Sequence, residues 1–136
     1  MTLTFDEAIP PAQDYFQLFE TTGWNRDYRA SPYELIKALA GSQWMMAAYD
    51  QGVLVGFCRV VSDGVLYAVL YDLIVAPEYQ NRGLGTQLLE IMVQKCLDAN
   101  IRDIQLFSAK GKRGFYERRG FKARPTEAPG MQYQRH

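Results

Sequence analysis

Residues 75–85 read VAPEYQNRGLG and join a predicted buried strand to the start of a predicted long helix. The first turn of a helix carries N–H groups without intrahelical partners and the positive end of the helix dipole. Gly83 and Gly85 let the backbone approach a ligand closely and adopt conformations that a Cβ would forbid. Main-chain groups here could hold a pyrophosphate, with Arg82 as one local cation. The alternative is a tight strand-to-helix turn that simply needs glycine.

Strand and helix patterns alternate on both sides of this stretch. Alternating apolar residues between turn signals predict strands, and apolar residues at three- and four-residue steps predict helices. The predicted strands are residues 2–5, 43–49, 53–61, 66–75, 102–107, 121–124 and 131–134. The predicted helices are residues 12–22, a helix begun by Ser31-Pro32 and ended by Gly41, a long helix ended by Asn100, and residues 113–119, with a loop over 23–30. Strand, long helix and strand in succession predict a parallel crossover, and hence an α/β fold.

Composition excludes several classes of protein. A chain of 136 residues is predicted to form one domain over residues 1–136. Its 15 Lys and Arg balance 15 Asp and Glu, so we expect neither nucleic acid nor a membrane surface as a general partner. No apolar run approaches the roughly 20 residues of a membrane span, and no secretory signal is evident, so we expect a cytoplasmic protein. Two cysteines exclude a disulfide framework, and a lone histidine, His136, argues against His-dependent hydrolases and zinc sites.

Two motifs together resemble the GCN5-related N-acetyltransferase (GNAT) superfamily. Residues 75–85 resemble its acetyl-CoA loop, with the signature Gln/Arg-x-x-Gly-x-Gly/Ala. Residues 115–121, FYERRGF, resemble its second hallmark, a short tyrosine-bearing helix that ends in Gly-Phe. The resemblance covers nearly the whole chain and is to the small single-domain bacterial type. It implies a GNAT fold: a mixed, largely antiparallel sheet of six to seven strands, flanked by about four helices and splayed beside the CoA-binding strand.

The resemblance also implies roles for individual residues. The backbone of the strand before the loop would pair with the pantetheine arm, and the loop would hold the pyrophosphate. Tyr116 takes the place of the catalytic tyrosine that faces the leaving sulfur, and Trp24 and Tyr71 are implied to bind the acceptor. The residues implied to bind acetyl-CoA are Leu73, Ile74, Val75, Gln80, Asn81, Arg82, Gly83, Leu84, Gly85 and Thr86. No metal is implied.

The implied activity is transfer of an acetyl group from acetyl-CoA to a primary amine, preferably a small molecule, by direct attack. The alternatives are a protein N-terminal or lysine acetyltransferase and a non-catalytic CoA-binding sensor. The positions of the family's usual base fall on Val69 and Tyr71, neither of them an ordinary base. The base is therefore a water relay or Asp72, which strict strand alternation points away unless a bulge turns it. A homodimer stays open as the oligomeric state.

Overall fold

A computed structural model describes residues 2–135, which leaves His136 outside the described residues. The chain divides after Leu106 into two compact units, and a single domain over residues 1–136 stays a prediction. The strands, all in the first unit, are β1 (Leu3–Asp6), β2 (Trp44–Asp50), β3 (Val53–Ser62), β4 (Tyr67–Val75) and β5 (Asp103–Leu106). The helices are α1 (Ala12–Glu20), α2 (Asn25–Tyr28), α3 (Pro32–Ala40) and α4 (Leu84–Asp98) in the first unit and α5 (Arg113–Glu117) in the second.

The strands form one mixed sheet in the order β1-β2-β3-β4-β5. The first four are antiparallel to their neighbours, and β5, which follows the α4 crossover, is parallel to β4. This confirms the α/β class and the mixed, largely antiparallel sheet. Within residues 2–135, no helix is long and apolar enough to cross a membrane.

The expectation of six to seven strands is wrong, because the described residues form five. The two predicted terminal strands are the ones that do not form. The segments over residues 121–124 and 131–134 make no ladder. Pro125 and Pro129 have no N–H to give to a strand partner. Between them the chain closes a turn, in which the Ala128 N–H donates to the Pro125 carbonyl at 2.9 Å.

The helices number five in the described part of the chain, one more than expected, because the predicted loop over 23–30 contains α2. The buried Asn25 side chain closes this turn by accepting from the Ala30 N–H and donating to the Ala30 carbonyl. The predicted start of α3 is confirmed: Ser31 and Glu34 form a reciprocal capping box. Asn100, left-handed at φ 57°, ends α4 as predicted, because its N–H returns to the Leu97 carbonyl.

The two faces of the sheet are covered by different helices, which sets where α4 begins. Phe57 of β3 packs against Tyr15 of α1 with ring centroids 4.8 Å apart. The neighbouring Gly56 faces α4, and a Cβ there would lie 2.9 Å from Leu88 and 3.0 Å from Leu84. Gly56 is also the partner of Val75, the last residue of β4. This close approach places the first turn of α4 beside the end of β4.

Candidate active site

The second half of β4 has an open edge. Pairing with β5 runs from Tyr67–Asp103 to Leu70–Leu106 and stops there. In the part of the chain that the structure describes, no strand pairs with residues 71–75 on the β5 side. Backbone polar groups need partners, and a ligand that carries amides can add itself to such an edge like a strand. Leu73, Ile74 and Val75, predicted to hold the pantetheine arm, lie on this segment.

A one-residue bulge marks the start of the open segment. Tyr71 lies opposite Arg59 and Ile74 opposite Phe57, so two residues of β4 face the single Cys58 of β3. Asp72, one of those two, adopts the left-handed conformation with φ 57°. The strict alternation that would point Asp72 to the other face is therefore broken, and its carboxylate lies on the side of Arg59.

Two donors already occupy the Asp72 carboxylate. Arg59 Nε donates to its Oδ2 atom at 2.6 Å, and the Tyr15 hydroxyl donates to the same oxygen at 3.3 Å. Burial, followed by the charge of Asp72, raises the pKa of Tyr15 well above its ordinary value, so the phenol stays protonated as the donor. The nearby Cys58 thiol is fully buried, which raises its pKa to about 12 and leaves it no reactive thiolate near neutral pH.

The loop after β4 is tied to the sheet by side chains. A 3₁₀ turn over Pro77–Tyr79 comes first. The Tyr79 hydroxyl donates to Asp50 at the end of β2, 2.6 Å away, and Gln80 Nε2 donates to the Val75 carbonyl at 3.0 Å. The Arg82 guanidinium lies 5.4 Å from the centroid of the Tyr79 ring. Sequence reasoning missed Tyr79 and Asp50, because their contact joins residues 29 positions apart.

The loop then enters α4 through two left-handed residues, Asn81 at φ 64° and Gly83 at φ 84°. Gly83 is the N-cap, no side chain caps the helix, and the first turn holds no acidic residue. The first turn-closing bond runs from the Gln87 N–H to the Gly83 carbonyl, so the N–H groups of Leu84 and Gly85 precede it. A neutral, uncapped start of a 15-residue helix suits an anion. The predicted phosphate-binding residues Gln80 to Thr86 are thus contiguous in one exposed loop and helix start.

The second unit contains Tyr116, on α5. Its half-buried ring packs edge-on against Phe115 and Phe121, with centroids 5.1 and 6.0 Å away. Gly120, at φ 94°, turns the chain so that the Phe121 N–H reaches the Tyr116 carbonyl at 3.1 Å. The Gly-Phe pair of the motif therefore fixes the placement of Tyr116 within this unit.

The two predicted acceptor-binding aromatics both lie in the first unit. Trp24 immediately precedes α2 and packs edge-on against Phe19, with centroids 5.9 Å apart. Tyr71 is 39% exposed, with the Arg59 guanidinium 5.8 Å from its ring centroid. Within residues 2–135, no group of three or more His, Cys, Asp or Glu side chains is arranged to hold a metal ion.

The chain is similar in sequence to several proteins that are named as acetyltransferases. GCN5-related N-acetyltransferase 2, chloroplastic, of Arabidopsis thaliana is 40% identical over 78 residues, which cover 57% of this chain and 30% of that protein. Histone acetyltransferase TAP1 of Glycine max is 37% identical over 82 residues, or 60% of this chain and 36% of that protein. The uncharacterized N-acetyltransferase ycf52 of Pyropia yezoensis is 30% identical over 120 residues, or 85% of this chain and 67% of that protein. The matched part spans about a third of the two land-plant relatives.

Solved structures and a family model give the same assignment. A GNAT-family acetyltransferase of Streptococcus pneumoniae matches with a TM-score of 0.79 at 27% identity, over 98% of both chains. The PaiA N-acetyltransferase of Thermoplasma acidophilum, solved in complex with coenzyme A, matches with a TM-score of 0.75 at 19% identity over 93% of both chains, which is a likeness of fold. The family model described as an acetyltransferase (GNAT) domain matches residues 15–132. The chain therefore belongs to the GNAT acetyltransferase family, whose enzymes take their acetyl group from acetyl-CoA.

Proposed function

We propose that this chain transfers an acetyl group from acetyl-CoA to the primary amine of a small molecule by direct nucleophilic attack. The observation that carries the proposal is the open edge of β4 over residues 71–75, which runs into a left-handed, uncapped start of α4. An extended arm with amides fits the edge, and a diphosphate fits the helix start. Acetyl-CoA combines both groups in one molecule.

The proposed cofactor contacts are mostly main-chain. The backbone of Leu73, Ile74 and Val75 pairs with the pantetheine arm. The N–H groups from Asn81 to Thr86 surround the pyrophosphate, and Arg82 adds a positive charge. Main-chain binding explains how a chain with no net charge could hold a polyanion.

The reaction requires two proton transfers: the amine must lose a proton before it attacks, and the leaving thiolate must gain one. An alkyl amine with a pKa near that of lysine, about 10.4, costs about 4.6 kcal/mol to deprotonate at pH 7. The neutral nitrogen then attacks the thioester carbon, and the C–S bond breaks as the thiolate leaves. A phenol, of pKa about 10 in water, gives its proton to a thiolate of about 8.5 only at a cost of roughly 2 kcal/mol. We therefore propose that Tyr116 stabilises the developing thiolate by a hydrogen bond, and that the acidic ammonium of the tetrahedral intermediate supplies the proton.

We propose a water relay as the base that accepts the first proton. Asp72 is the carboxylate on the strand proposed to bind CoA, but its Oδ2 atom already accepts hydrogen bonds from Arg59 and Tyr15. Trp24 and Tyr71 are proposed to line the acceptor site, where aromatic rings would suit an apolar or aryl amine.

A second candidate is a protein acetyltransferase that modifies an N-terminal or lysine amine. It is favoured by the relative from Glycine max whose name is Histone acetyltransferase TAP1. We further propose a cytoplasmic location, because Cys58 and Cys96 are free thiols that suit a reducing compartment.

The test is incubation of the full chain with acetyl-CoA and a panel of amines and peptides. Thiol release measures turnover, mass spectrometry identifies the acetylated product, and calorimetry measures CoA affinity. The buried Cys58 and Cys96 give little background with a thiol reagent, which a reaction without amine measures. Turnover on small amines supports the proposal, and turnover on peptides alone supports the second candidate. CoA binding without turnover indicates a sensor, and absence of CoA binding overturns all three.

A further inference from the structure

The β4 bulge coincides with the point where β4 parts from β5. The last pair between the two strands is Leu70–Leu106, and the extra residue of the bulge falls at Asp72–Leu73, with only Tyr71 between them. The segment that begins within the bulge, residues 73–75, is the one proposed to bind the pantetheine arm. The shape of the bulge therefore controls the direction in which those backbone groups point.

Asp72, one of the two bulge residues, has a left-handed backbone conformation that is unfavourable for a residue with a side chain. Its φ of 57° lies in the left-handed region, which aspartate tolerates better than most residues but which still needs a compensating contact. The compensation is visible in the two donors to Oδ2, Arg59 Nε at 2.6 Å and the Tyr15 hydroxyl at 3.3 Å. The side chains of Arg59 and Asp72 are each only 16% exposed, where a charge-assisted hydrogen bond is strong.

Arg59 is itself fixed by another element. Its guanidinium Nη1 donates to the Ala38 carbonyl in the last turn of α3 at 3.2 Å and to Ser42 Oγ at 3.3 Å. The carboxyl end of a helix favours a cation. The bulge is thus connected through Arg59 to α3, and through Tyr15 to α1.

We propose that Arg59 and Asp72 are positioning residues for acetyl-CoA: their ion pair, anchored on α3, holds the left-handed bulge that directs the backbone of residues 73–75 toward the pantetheine arm. This inference rests on the proposed function. It assigns Asp72 to the backbone of the cofactor site and not to proton transfer.

Three substitutions distinguish the effect of the ion pair from the effect of the left-handed backbone conformation. Arg59→Met removes the charge and keeps much of the length. Asp72→Asn keeps the shape and the tolerance of a left-handed φ but removes the charge, which makes it the milder variant if Arg59→Met folds poorly. Asp72→Gly removes the contact while making the left-handed φ easy. The matched control is Lys95→Met, which breaks the more exposed ion pair with Glu7.

The readouts are KM for acetyl-CoA, kcat, the Kd of CoA and the backbone chemical shifts of Asp72, which report its left-handed conformation without ligand. We expect Arg59→Met to raise KM and Kd by about 10-fold, with a smaller change in kcat and loss of the left-handed shifts, because misplacement by a fraction of an ångström is costly in a fitted site. Asp72→Asn should raise them less. Asp72→Gly lacks the tether and populates positive and negative φ about equally, so residue 72 should keep only part of its left-handed character and CoA should bind more weakly than to the wild type. Lys95→Met should behave as wild type.

The proposal is overturned if Arg59→Met and Asp72→Asn lose thermal stability but keep the wild-type KM and Kd, since the pair would then be structural only. Wild-type CoA affinity in Asp72→Gly also overturns it, because the tether would be dispensable. If the wild-type chain binds no CoA, the proposed function fails separately. The Asp72 shifts then decide: their loss in Arg59→Met supports the ion pair as holder of the bulge, and their persistence refutes it.

Discussion

Gly83→Ala probes the start of α4 through the backbone alone. Gly83 has φ 84°, and a Cβ built there would meet no atom within 4 Å, so alanine adds no clash. The cost comes from the left-handed conformation, about 1–2 kcal/mol for a residue with a Cβ. Gly52 supplies a matched control: its φ is 81°, and a Cβ there also meets nothing within 4 Å.

We expect the cost to lower the stability of the folded protein in Gly52→Ala and the affinity for CoA in Gly83→Ala. Gly52 lies in the two-residue turn between Asp50 and Val53, which are paired strand residues, so the strain has to be carried by the folded state. Gly83 is exposed and lies outside any strand pair, so we expect the free protein to relieve the strain locally, and a bound pyrophosphate would have to restore the wild-type shape. A strain of about 1–2 kcal/mol then weakens CoA binding by about 5- to 30-fold. Gly83→Val should weaken it more and Gly83→Asn less, because asparagine tolerates φ above zero and a branched Cβ does not.

Calorimetric titration with CoA and thermal denaturation measure the two effects. Gly52→Ala should lower Tm by about 3–6 °C for each kcal/mol while CoA affinity stays at the wild-type value. Gly83→Ala should lose affinity with a smaller loss of Tm. Wild-type affinity in Gly83→Val would refute the assignment of this loop to the pyrophosphate. An equal loss of affinity in Gly52→Ala would show that general destabilisation, and not the loop, is being measured.

Three further changes test other parts of the molecule. Tyr116→Phe should lower kcat by about 10- to 10⁴-fold with CoA affinity nearly intact; initial rates measure this, and an unchanged kcat contradicts the proposed role. Tyr79→Phe removes the 2.6 Å bond to Asp50 but keeps the ring beside the loop, so it should weaken CoA binding severalfold by calorimetry, and Asp50→Ala, which removes the acceptor, should match it; wild-type affinity in both would show that this bond does not order the loop. Burial raises the pKa of Cys58 from 9.0 to about 12 and also raises that of Tyr15, so both groups keep their protons in the folded state after the unfolded chain has released them. The free energy of unfolding should therefore be insensitive to Cys58 below pH 9 and to Tyr15 below pH 10, and it should fall above those values towards pH 12, by up to about 1.36 kcal/mol per pH unit for each group. Denaturant titrations at several pH values across that range measure the free energy of unfolding. In Cys58→Ala and Tyr15→Phe this free energy should fall less steeply with pH than in the wild type, and an unchanged pH dependence would contradict the raised pKa of the replaced group.

The features that the sequence predicted well are those encoded locally. Ser31 and Glu34 are three residues apart and form the capping box, and Asn100 ends α4 within one turn. The loop motif and the tyrosine motif were sufficient to predict a GNAT fold and an acetyl-CoA-dependent acetyltransferase, and the match of the family model confirms both at the level of the family.

The two terminal strands were predicted wrongly because a strand depends on its partner. Residues 121–124 and 131–134 have strand-like composition, but β propensity is largely the fit of side chains against a neighbouring strand. The Arg124 guanidinium instead donates to the Ala128 carbonyl at 2.9 Å, which stabilises a turn within the segment. Four-residue patterns carry no information about whether a partner edge is present.

The Asp72 bulge shows why a base is hard to assign from sequence in this family. Alternation along β4 is a local rule, and it places Asp72 on the face opposite Tyr71. The contact that breaks the rule involves Arg59, 13 residues earlier on β3, and the hydroxyl of Tyr15, 57 residues earlier on α1. Both donors reach the carboxylate only once β3, β4 and α1 have packed together. An acidic residue on the CoA strand is therefore insufficient evidence for a general base: where an arginine and a phenol occupy its oxygen, as here, the carboxylate is better suited to holding the backbone than to accepting a proton from the amine.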